Sequence, residues 1–317
     1  MINYELIDSL YDKTASRGEL AEILECARES RGLSLVQAAK LLNASDGDEI
    51  SAIFEAARQV KNEIYGKRVV MFAPLYTSNY CQNNCAYCGF SAANKEIKRI
   101  ALTSDEVAAQ AKRLESGGHK RILLVCGEDE RRSGVAAITE CVEKIYETCD
   151  IRRLNVNCAP MDVADFKTLK ASAIGTYQIF QETYNRAQYE KLHISGKKRD
   201  YDYRFNAPSR AIEAGIDDVG IGPLLGLYDY RYDVLCTLAH SEHLMERYGV
   251  GPHTISVPRM RPAVGAALAG VPYPVSDYDF KKLVAVIRLA VPYTGIILST
   301  RETGSLRANC SLWAYRK

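Results

Sequence analysis

The sequence has no long hydrophobic run and no excess of charge of one sign. Nowhere do about 18 uncharged apolar residues follow one another, as a membrane-spanning helix requires. The first residues carry acidic side chains and no apolar core of signal-peptide length. With 41 Lys and Arg against 39 Asp and Glu, the net charge of +2 predicts no binding to nucleic acid or to an anionic membrane. These absences predict a cytoplasmic protein whose partners must be inferred from its sites.

Linkers rich in Gly, Pro or Ser are also absent from between the predicted elements. The 317 residues would suffice for two domains of roughly 150 residues or for one large α/β barrel. Hydrophobic residues make up 47% and charged residues 25% of the chain, which excludes a disordered or collagen-like protein. One continuous α/β domain is therefore favoured over two.

The first 66 residues have the periodicity of helices. Apolar residues recur there at three- and four-residue steps, at Ile50, Ile53, Phe54, Ala57, Val60 and Ile64. We predict a helical extension over residues 1–66 that precedes the α/β domain.

From residue 68 onward, short β-rich runs alternate with longer amphipathic stretches, which is typical of βαβ units around a parallel sheet. The predicted strands are 69–75, 122–125, 154–158, 177–180, 218–222, 254–257 and 295–298. Helices are predicted between them, for example 105–116, which opens with a capping box from Thr103 to Glu106, and 280–290. The pattern predicts a barrel of the TIM type over residues 67–302, incomplete at seven strands.

In such a barrel the chemistry collects at the carboxyl ends of the strands. Polar residues and glycines stand at these positions: Cys81, Cys85 and Cys88, then Glu128, Gln181, Glu182, Gly220, Gly222, Arg259, Arg261 and Ser299. Loops that open on one face would bring these side chains into a single polar pocket.

Cys81, Cys85 and Cys88 are spaced C-x3-C-x2-C, so one loop can wrap one metal centre. Three thiolates satisfy three irons of a 4Fe-4S cube and leave the fourth iron open to a small molecule. A zinc site would normally have a fourth Cys or His nearby, and the nearest histidine, His119, is a whole βα unit away. The triplet therefore predicts an iron-sulfur cluster, and the seven scattered cysteines are interpreted mostly as small core residues.

The triplet, with Tyr87 before its last cysteine, resembles the radical S-adenosylmethionine (SAM) superfamily. Longer stretches are similar to its aromatic amino acid lyases, above all to the tyrosine lyases that mature [FeFe]-hydrogenase; these stretches are residues 73–80, 175–184, 215–222 and 249–262. The resemblance implies a 4Fe-4S cluster, SAM as second cofactor, and a reductant such as a ferredoxin or flavodoxin.

The resemblance also implies roles for the cofactor-facing residues. Tyr87 would contact the adenine side of SAM, and Glu128 its amino group, although Cys126 replaces the first glycine of the family's Gly-Gly-Glu motif. Gln181 and Glu182 would hydrogen-bond the ribose or the methionine end of SAM, or else only cap a loop. Gly220 and Gly222 would let adenine approach the backbone, or relieve crowding in the barrel wall.

For the substrate, an arginine supplies a fork of donors that suits a carboxylate. The resemblance implies that Arg259 or Arg261, together with Ser299, holds the carboxylate of an amino acid. His253 is the candidate catalytic residue, as a proton relay to the phenol of tyrosine, with a structural histidine as the alternative.

The implied reaction removes a hydrogen atom from L-tyrosine and breaks its Cα–Cβ bond to give p-cresol and dehydroglycine (2-iminoacetate). Alternatives are a 2-iminoacetate synthase of thiamine synthesis, a tryptophan lyase, and a remnant without activity. The resemblance is expected to stop near Glu302, which leaves residues 303–317 as an atypical tail with one cysteine, Cys310, and no strand pattern. We therefore expect a shortened chain without the eighth strand and without the family's second cluster domain.

Overall fold

The computed structural model describes residues 2–314. Its strands are β1 (Ala73–Ser78), β2 (Asn84–Cys85), β3 (Arg121–Cys126), β4 (Arg153–Asn157), β5 (Thr176–Gln178), β6 (His193–Ser195), β7 (Asp218–Ile221), β8 (Thr254–Ser256) and β9 (Gly295–Ile297). Its helices are α1 (Tyr4–Leu10), α2 (Arg17–Arg28), α3 (Leu35–Leu42), α4 (Gly47–Tyr65), α5 (Ser104–Ser116), α6 (Glu130–Ser133), α7 (Val135–Thr148), α8 (Val163–Ala171), α9 (Arg186–Leu192), α10 (Tyr201–Phe205), α11 (Ala207–Glu213), α12 (Tyr230–Tyr248), α13 (Asp277–Ala290) and α14 (Gly304–Ala314). None of these helices is long and apolar enough to cross a membrane.

Seven of the strands form one parallel sheet in the order β1-β3-β4-β5-β7-β8-β9. Within this sheet each strand lies beside the one that comes before it in the chain, so β1 and β9 are the two edges. The sheet curls in one direction. The predicted incomplete barrel of seven parallel strands is therefore confirmed. All carboxyl ends lie on one side of this half-barrel, where the polar loops meet.

Two features of the sheet differ from the sequence prediction. The first strand is Ala73–Ser78 and not 69–75, because its pairing with β3 begins at Ala73 opposite Ile122. Residues 69–72 precede that register, and Met71 is 72% exposed. The small antiparallel sheet of β2 and β6 was not predicted, since strands of two and three residues are too short to show an alternating pattern.

The N-terminal caps fix where two of the predicted helices begin. Thr103 and Glu106 make the reciprocal capping-box bonds at the start of α5. Helix α13 begins three residues before the predicted 280, because Ser276 accepts a hydrogen bond from the Asp279 N–H and caps it.

Helices α1–α4 occupy the segment predicted to be helical and cover the outer helices of the barrel. The apolar stripe of α4 is buried at Ile50, Ile53, Ala57 and Val60, and the helix packs on α13 and α14. The rings of Phe54 on α4 and Trp313 on α14 stack at 4.8 Å between centroids.

Residues 304–314, predicted as part of an atypical tail, form helix α14, and residues 315–317 lie outside the described part of the chain. Cys310 and Trp313 are buried in its interface with the core. Arg288 of α13 is fully buried and ties the tail to the barrel. Its guanidinium donates to the carbonyl oxygens of Trp313 at 3.0 Å, Pro292 at 2.8 Å and Thr294 at 2.9 Å.

Replacing this arginine should weaken the fold. Arg288→Met leaves three carbonyl groups without their donor, so we expect the free energy of unfolding in urea to fall by at least about 3 kcal/mol. Arg58→Met, which breaks only an exposed pair with Glu55 on α4, should cost less than about 1 kcal/mol. Equal losses in the two variants would contradict the anchoring role of Arg288.

Candidate functional site

The loop after β1 carries the three cysteines and is held in place by the small β2–β6 sheet. Cys85 pairs with His193 across that sheet, and the Asn84 side-chain amide donates to Ser195 Oγ at 2.8 Å. All three thiols are free: Cys85 is buried, whereas Cys81 and Cys88 are partly exposed. The loop is therefore fixed on one side and presents its sulfurs toward the carboxyl edge of the large sheet.

The three sulfurs are compatible with ligation of three different irons of one cluster. In the described residues no group of three or more His, Cys, Asp or Glu side chains is drawn together tightly enough to hold one metal ion. A cube ligates each thiolate to a different iron, so its ligands need not converge on one point. Burial raises the pKa of Cys85 to about 12, while the nearby charge of Lys198 acts in the opposite direction. A bound cation would favour the thiolate, as iron ligation requires.

Four side chains next to this loop form a charged cluster, which consists of Glu128, Glu182, Lys198 and Arg204. Glu128 follows β3 and Glu182 follows β5, and the two cations come from the segment between β6 and the end of α10. Arg204 Nη1 donates to Glu128 Oε1 at 2.7 Å, and Lys198 Nζ donates to Glu182 Oε1 at 2.5 Å. The four side chains are only 5% to 14% exposed, so the ion pairs are poorly screened by water.

The charges of this cluster set the protonation of its acids. Burial opposes ionisation of Glu128, but Arg204 and Lys198 outweigh it and hold the pKa of the carboxyl below its ordinary value. The pKa of Glu182 is lowered for the same reason, by Lys198 first and Arg204 second. Both carboxylates are therefore negative at neutral pH and can receive a positively charged group. Glu128 is thus neither solvated nor part of a surface charge run.

Asn83 links the charged cluster to the cysteine loop. Its side-chain amide donates to Glu128 Oε2 at 2.8 Å, and its Oδ1 accepts from the Lys198 N–H at 2.9 Å. Sequence reasoning missed Asn83, Lys198 and Arg204. Asn83 is one of the variable positions of the cysteine motif, and Lys198 and Arg204 stand in no motif. For the two cations the only available signal was that two acids predicted at one pocket would need counter-charges.

The other residues predicted to face the cofactor lie around the same loop. Tyr87 is buried, and its hydroxyl is 2.9 Å from His193 Nε2. Gln181 is buried with its amide toward the Tyr201 carbonyl oxygen at 3.4 Å. Glu182 has a φ of +73°, unusual for a residue with a side chain, and its carbonyl oxygen accepts from the Leu224 N–H at 2.7 Å.

The structure gives Gly220 and Gly222 a packing role. A Cβ at Gly222 would lie 2.1 Å from the Ser256 carbonyl oxygen of the neighbouring strand, and one at Gly220 would lie 2.6 Å from Thr254 Oγ1. Crowding in the sheet therefore accounts for both glycines, and a contact with adenine stays a prediction.

Arg259 and Arg261 meet at one buried acid, Glu302, to which the sequence assigned no role beyond its place after the last strand. The Arg259 guanidinium is paired with Glu302 through two of its nitrogens, with Asp277 at 2.7 Å and with the Val275 carbonyl oxygen at 2.9 Å. Arg261 contacts Glu302 at 3.0 Å and keeps 46% of its side chain exposed. Of the two arginines, Arg261 keeps more of its side chain accessible, and the binding of a carboxylate by either stays a prediction.

Ser299 and His253 lie at opposite ends of one cavity. Ser299 follows β9, and its Oγ accepts from the Arg301 N–H at 3.2 Å. His253 precedes β8, so it lies at the amino ends of the strands, away from the cysteine loop, with Nδ1 2.9 Å from Asp218 Oδ1. A proton relay through His253 would have to reach a substrate through the cavity and stays a prediction.

This cavity is the lumen of the half-barrel, with a volume of about 430 Å³. Side chains from β1, β3, β4, β5, β8 and β9 line it, and both Ser299 and His253 reach it. The volume is within the range of sites for small organic ligands.

Comparison with known proteins identifies the family. A profile of the Radical SAM superfamily matches residues 75–234, about half of the chain. The chain belongs to the radical SAM superfamily. A profile of the Biotin and Thiamin Synthesis associated domain matches residues 256–315. Membership implies a 4Fe-4S cluster, SAM, a small-molecule substrate and a reductant. The cysteine triplet and the negative carboxylates beside it fit these cofactors.

Individual relatives are also similar over most of the chain. The crystal structure of HydG, a maturase of the [FeFe]-hydrogenase, superposes with a TM-score of 0.96 at 50% identity over 99% of this chain and 70% of that chain. HydG from Carboxydothermus hydrogenoformans has a TM-score of 0.91 at 43% identity, over 98% of this chain and 72% of its own. The 2-iminoacetate synthase of Salmonella typhimurium is 33% identical over 290 residues, 90% of this chain and 75% of that protein.

These matches correct the expectation that the resemblance stops near Glu302. The domain profile extends to residue 315, and the residues beyond Glu302 form the packed helix α14. A single helix of 11 residues is too short to be recognised from its pattern alone.

The packing role of Gly222 predicts a stability effect. In Gly222→Ala the new Cβ would meet backbone, which has to shift, so we expect unfolding in urea to become easier by at least about 2 kcal/mol. Gly47→Ala, at an open position at the start of α4, should change stability by no more than about 0.5 kcal/mol. Unchanged stability of Gly222→Ala would show that the sheet has room there.

The charged cluster predicts a pH-dependent effect. The pKa values of Glu128 and Glu182 are lower in the folded protein than in the unfolded chain. Their ion pairs therefore stabilise the fold fully above the ordinary carboxyl pKa, and this stabilisation is lost as the pH falls through the lowered pKa values. Arg204→Met should therefore cost about 3 to 5 kcal/mol in urea unfolding at pH 7. The loss should shrink toward pH 5, because the unpaired carboxyls take up protons.

Arg199→Met is the control for this experiment, since Arg199 makes only an exposed pair with Glu190. It should cost less than about 1 kcal/mol at both pH values. A loss in Arg204→Met that is independent of pH would mean that the arginine acts through packing and not through its charge.

Proposed function

We propose that this protein is a radical SAM carbon–carbon lyase that cleaves L-tyrosine between Cα and Cβ to p-cresol and dehydroglycine, as a step of [FeFe]-hydrogenase maturation. The observation that carries the proposal is the 50% identity with HydG over nearly the whole chain, with a TM-score of 0.96. The cysteine loop, the charged cluster and the lumen all lie within that match.

The chain's own residues would divide the work as follows. The thiolates of Cys81, Cys85 and Cys88 hold three irons of the cluster. Glu128, kept negative by Arg204, receives the ammonium group of SAM in a charge-assisted contact. When bound, the cluster and SAM would supply a 5'-deoxyadenosyl radical to take a hydrogen atom from the substrate, and one electron from the reductant with one proton would complete p-cresol.

The remaining residues position the two ligands. Glu182 is held by Lys198 and Arg204 and accepts hydrogen bonds from the ribose, with Gln181 and Tyr87 beside the nucleoside. Arg261 and Ser299, near the carboxyl end of the lumen, bind the carboxylate of the amino acid. With its carboxylate held there, the amino acid has the lumen available for its ring.

A second candidate is 2-iminoacetate synthase activity, favoured by the 33% identity with the Salmonella typhimurium protein. Its product is the same compound as dehydroglycine, so the two proposals share the tyrosine cleavage and differ in the fate of that product. The tryptophan lyase and the inactive remnant have no comparable support. A cytoplasmic location and a ferredoxin or flavodoxin as reductant remain predictions.

The proposal is tested by anaerobic reconstitution with iron and sulfide, followed by dithionite, SAM and tyrosine. We expect p-cresol and 5'-deoxyadenosine in equal amounts. Cys85→Ala should lose both products and the visible absorbance of the cluster, whereas Cys26→Ala, a change at an exposed position of α2, should keep all three.

Other outcomes would separate the alternatives. If tyrosine gives no p-cresol and tryptophan is the amino acid that yields 5'-deoxyadenosine, the tryptophan lyase would replace the proposal. Bound iron and SAM with no 5'-deoxyadenosine from any amino acid would favour the inactive remnant.

A further inference from the structure

The lumen has a layer of neutral polar side chains on one half of its wall. Asn157, Gln178, Gly220 and Thr254 are direct neighbours across β4, β5, β7 and β8. Asn155 lies one pleat below this row and Ser256 one pleat above it. We call Asn155, Asn157, Gln178, Thr254 and Ser256 the polar belt; all five line the cavity.

The glycine within this row allows the belt to close. A Cβ at Gly220 would lie 2.6 Å from Thr254 Oγ1 and 3.1 Å from Gln178 Cγ, so only a residue without a side chain fits between them. The side-chain amide of Gln178 reaches past β7 and donates to Ser256 Oγ. The belt is therefore a connected surface and not a set of separate side chains.

The belt has no charge of its own, and the charges that line the cavity lie away from its row. Arg121 and Arg153 begin β3 and β4, and His253 precedes β8, so these three lie at the amino ends of the strands. Arg301 follows β9, on the carboxyl side, and Arg307, whose Nε makes no hydrogen bond, comes from α14 and from no strand of the belt. Burying a carboxylate or an ammonium group at the belt would leave it without a counter-charge. The layer therefore favours an uncharged polar group.

The wall on either side of the belt is apolar, because Leu123 and Val125 are the register neighbours of Asn155 and Asn157, and Ile297 is that of Ser256. Leu123 and Val125 of β3 and Ile297 of β9 face the same cavity, and the ring of Phe180 lies at its carboxyl side. A flat apolar ring with a polar group at its far end would match both halves of the wall.

Two polar atoms of the belt have no partner. Asn155 Oδ1 and Thr254 Oγ1 are shielded from water and make no hydrogen bond. Such atoms destabilise the protein unless a ligand or water approaches them. A hydroxyl group both donates and accepts and can serve amide and hydroxyl partners together, whereas an indole N–H only donates.

We infer that the polar belt binds the phenol hydroxyl of the substrate and selects a para-hydroxylated ring over an unsubstituted ring or an indole. This inference rests on the proposed tyrosine lyase function and deepens it. The carboxylate of the amino acid then lies at the charged carboxyl end of the lumen and the hydroxyl lies at the uncharged belt. The substrate is held at both ends, with its Cα–Cβ bond near the mouth of the lumen.

The test measures binding and not turnover. Anaerobic protein with its cluster and SAM, but without reductant, is titrated with tyrosine, phenylalanine and tryptophan by calorimetry. Unsubstituted protein should bind tyrosine at least about tenfold more tightly than either of the other two. Gln178→Leu should bind tyrosine at least about tenfold more weakly and phenylalanine with a change of less than about twofold.

Gln110→Leu makes the same substitution on α5, away from the lumen, and should leave the three affinities unchanged. If Gln178→Leu does not fold, as judged by iron content and circular dichroism, Ser256→Ala replaces it and should lower the tyrosine-to-phenylalanine ratio in the same direction. An unsubstituted protein that binds phenylalanine or tryptophan as tightly as tyrosine overturns the inference, as does an unchanged ratio in the folded belt variant.

The failure of this inference is distinguishable from failure of the proposed function. If the protein produces p-cresol but the folded belt variant keeps the tyrosine-to-phenylalanine affinity ratio, only the inference about the polar belt is refuted. If the unsubstituted protein neither binds tyrosine nor produces p-cresol, both the lyase proposal and the inference about the polar belt are refuted.

Discussion

Two carboxylates that lie almost out of water at the carboxyl edge of the sheet require two cations beside them. Glu128 and Glu182 meet this requirement through Arg204 and Lys198, and a buried acid without its partner would cost several kcal/mol. Both cations come from the segment that begins with β6. If that segment moved away from the barrel, the two carboxylates would lose their cationic partners and be either exposed to water or buried without a counter-charge.

The same segment holds the cysteine loop. Strand β6 pairs with β2 at Cys85, and Asn83 bonds both Glu128 and the backbone of Lys198. The place of the three thiols thus depends on the ion pairs next to them. One set of interactions organises the cysteine loop and keeps the two carboxylates negative, as the proposed binding of a cluster and a cationic ligand side by side requires.

The lumen is arranged by a different constraint, the packing of parallel strands. Inward-facing side chains at the same level of adjacent strands form rows across the sheet, and each side chain in a row has to fit beside those of the two neighbouring strands. Gly222 fits against the backbone of β8, and Gly220 makes room for the neighbouring Gln178 and Thr254. The result is an uncharged middle between two charged ends, and the long axis of an amino acid with a polar ring matches that distribution.

Much of this protein follows from its sequence alone. The β-rich runs determine the seven parallel strands, because the sheet is built in chain order and each run buries its own apolar residues. The spacing of Cys81, Cys85 and Cys88 brings three thiols into one loop, since residues within eight positions of one another need no distant partner. Tertiary structure decided what depends on residues far apart in the chain. The start of β1 is set by its register with β3, and the β2–β6 sheet joins segments more than 100 residues apart. Glu302, after β9, pairs with Arg259, after the neighbouring strand β8. The cations of the charged cluster belong to this group too, because a need for counter-charge shows that a partner must exist and only the folded chain shows that it is Arg204 and Lys198.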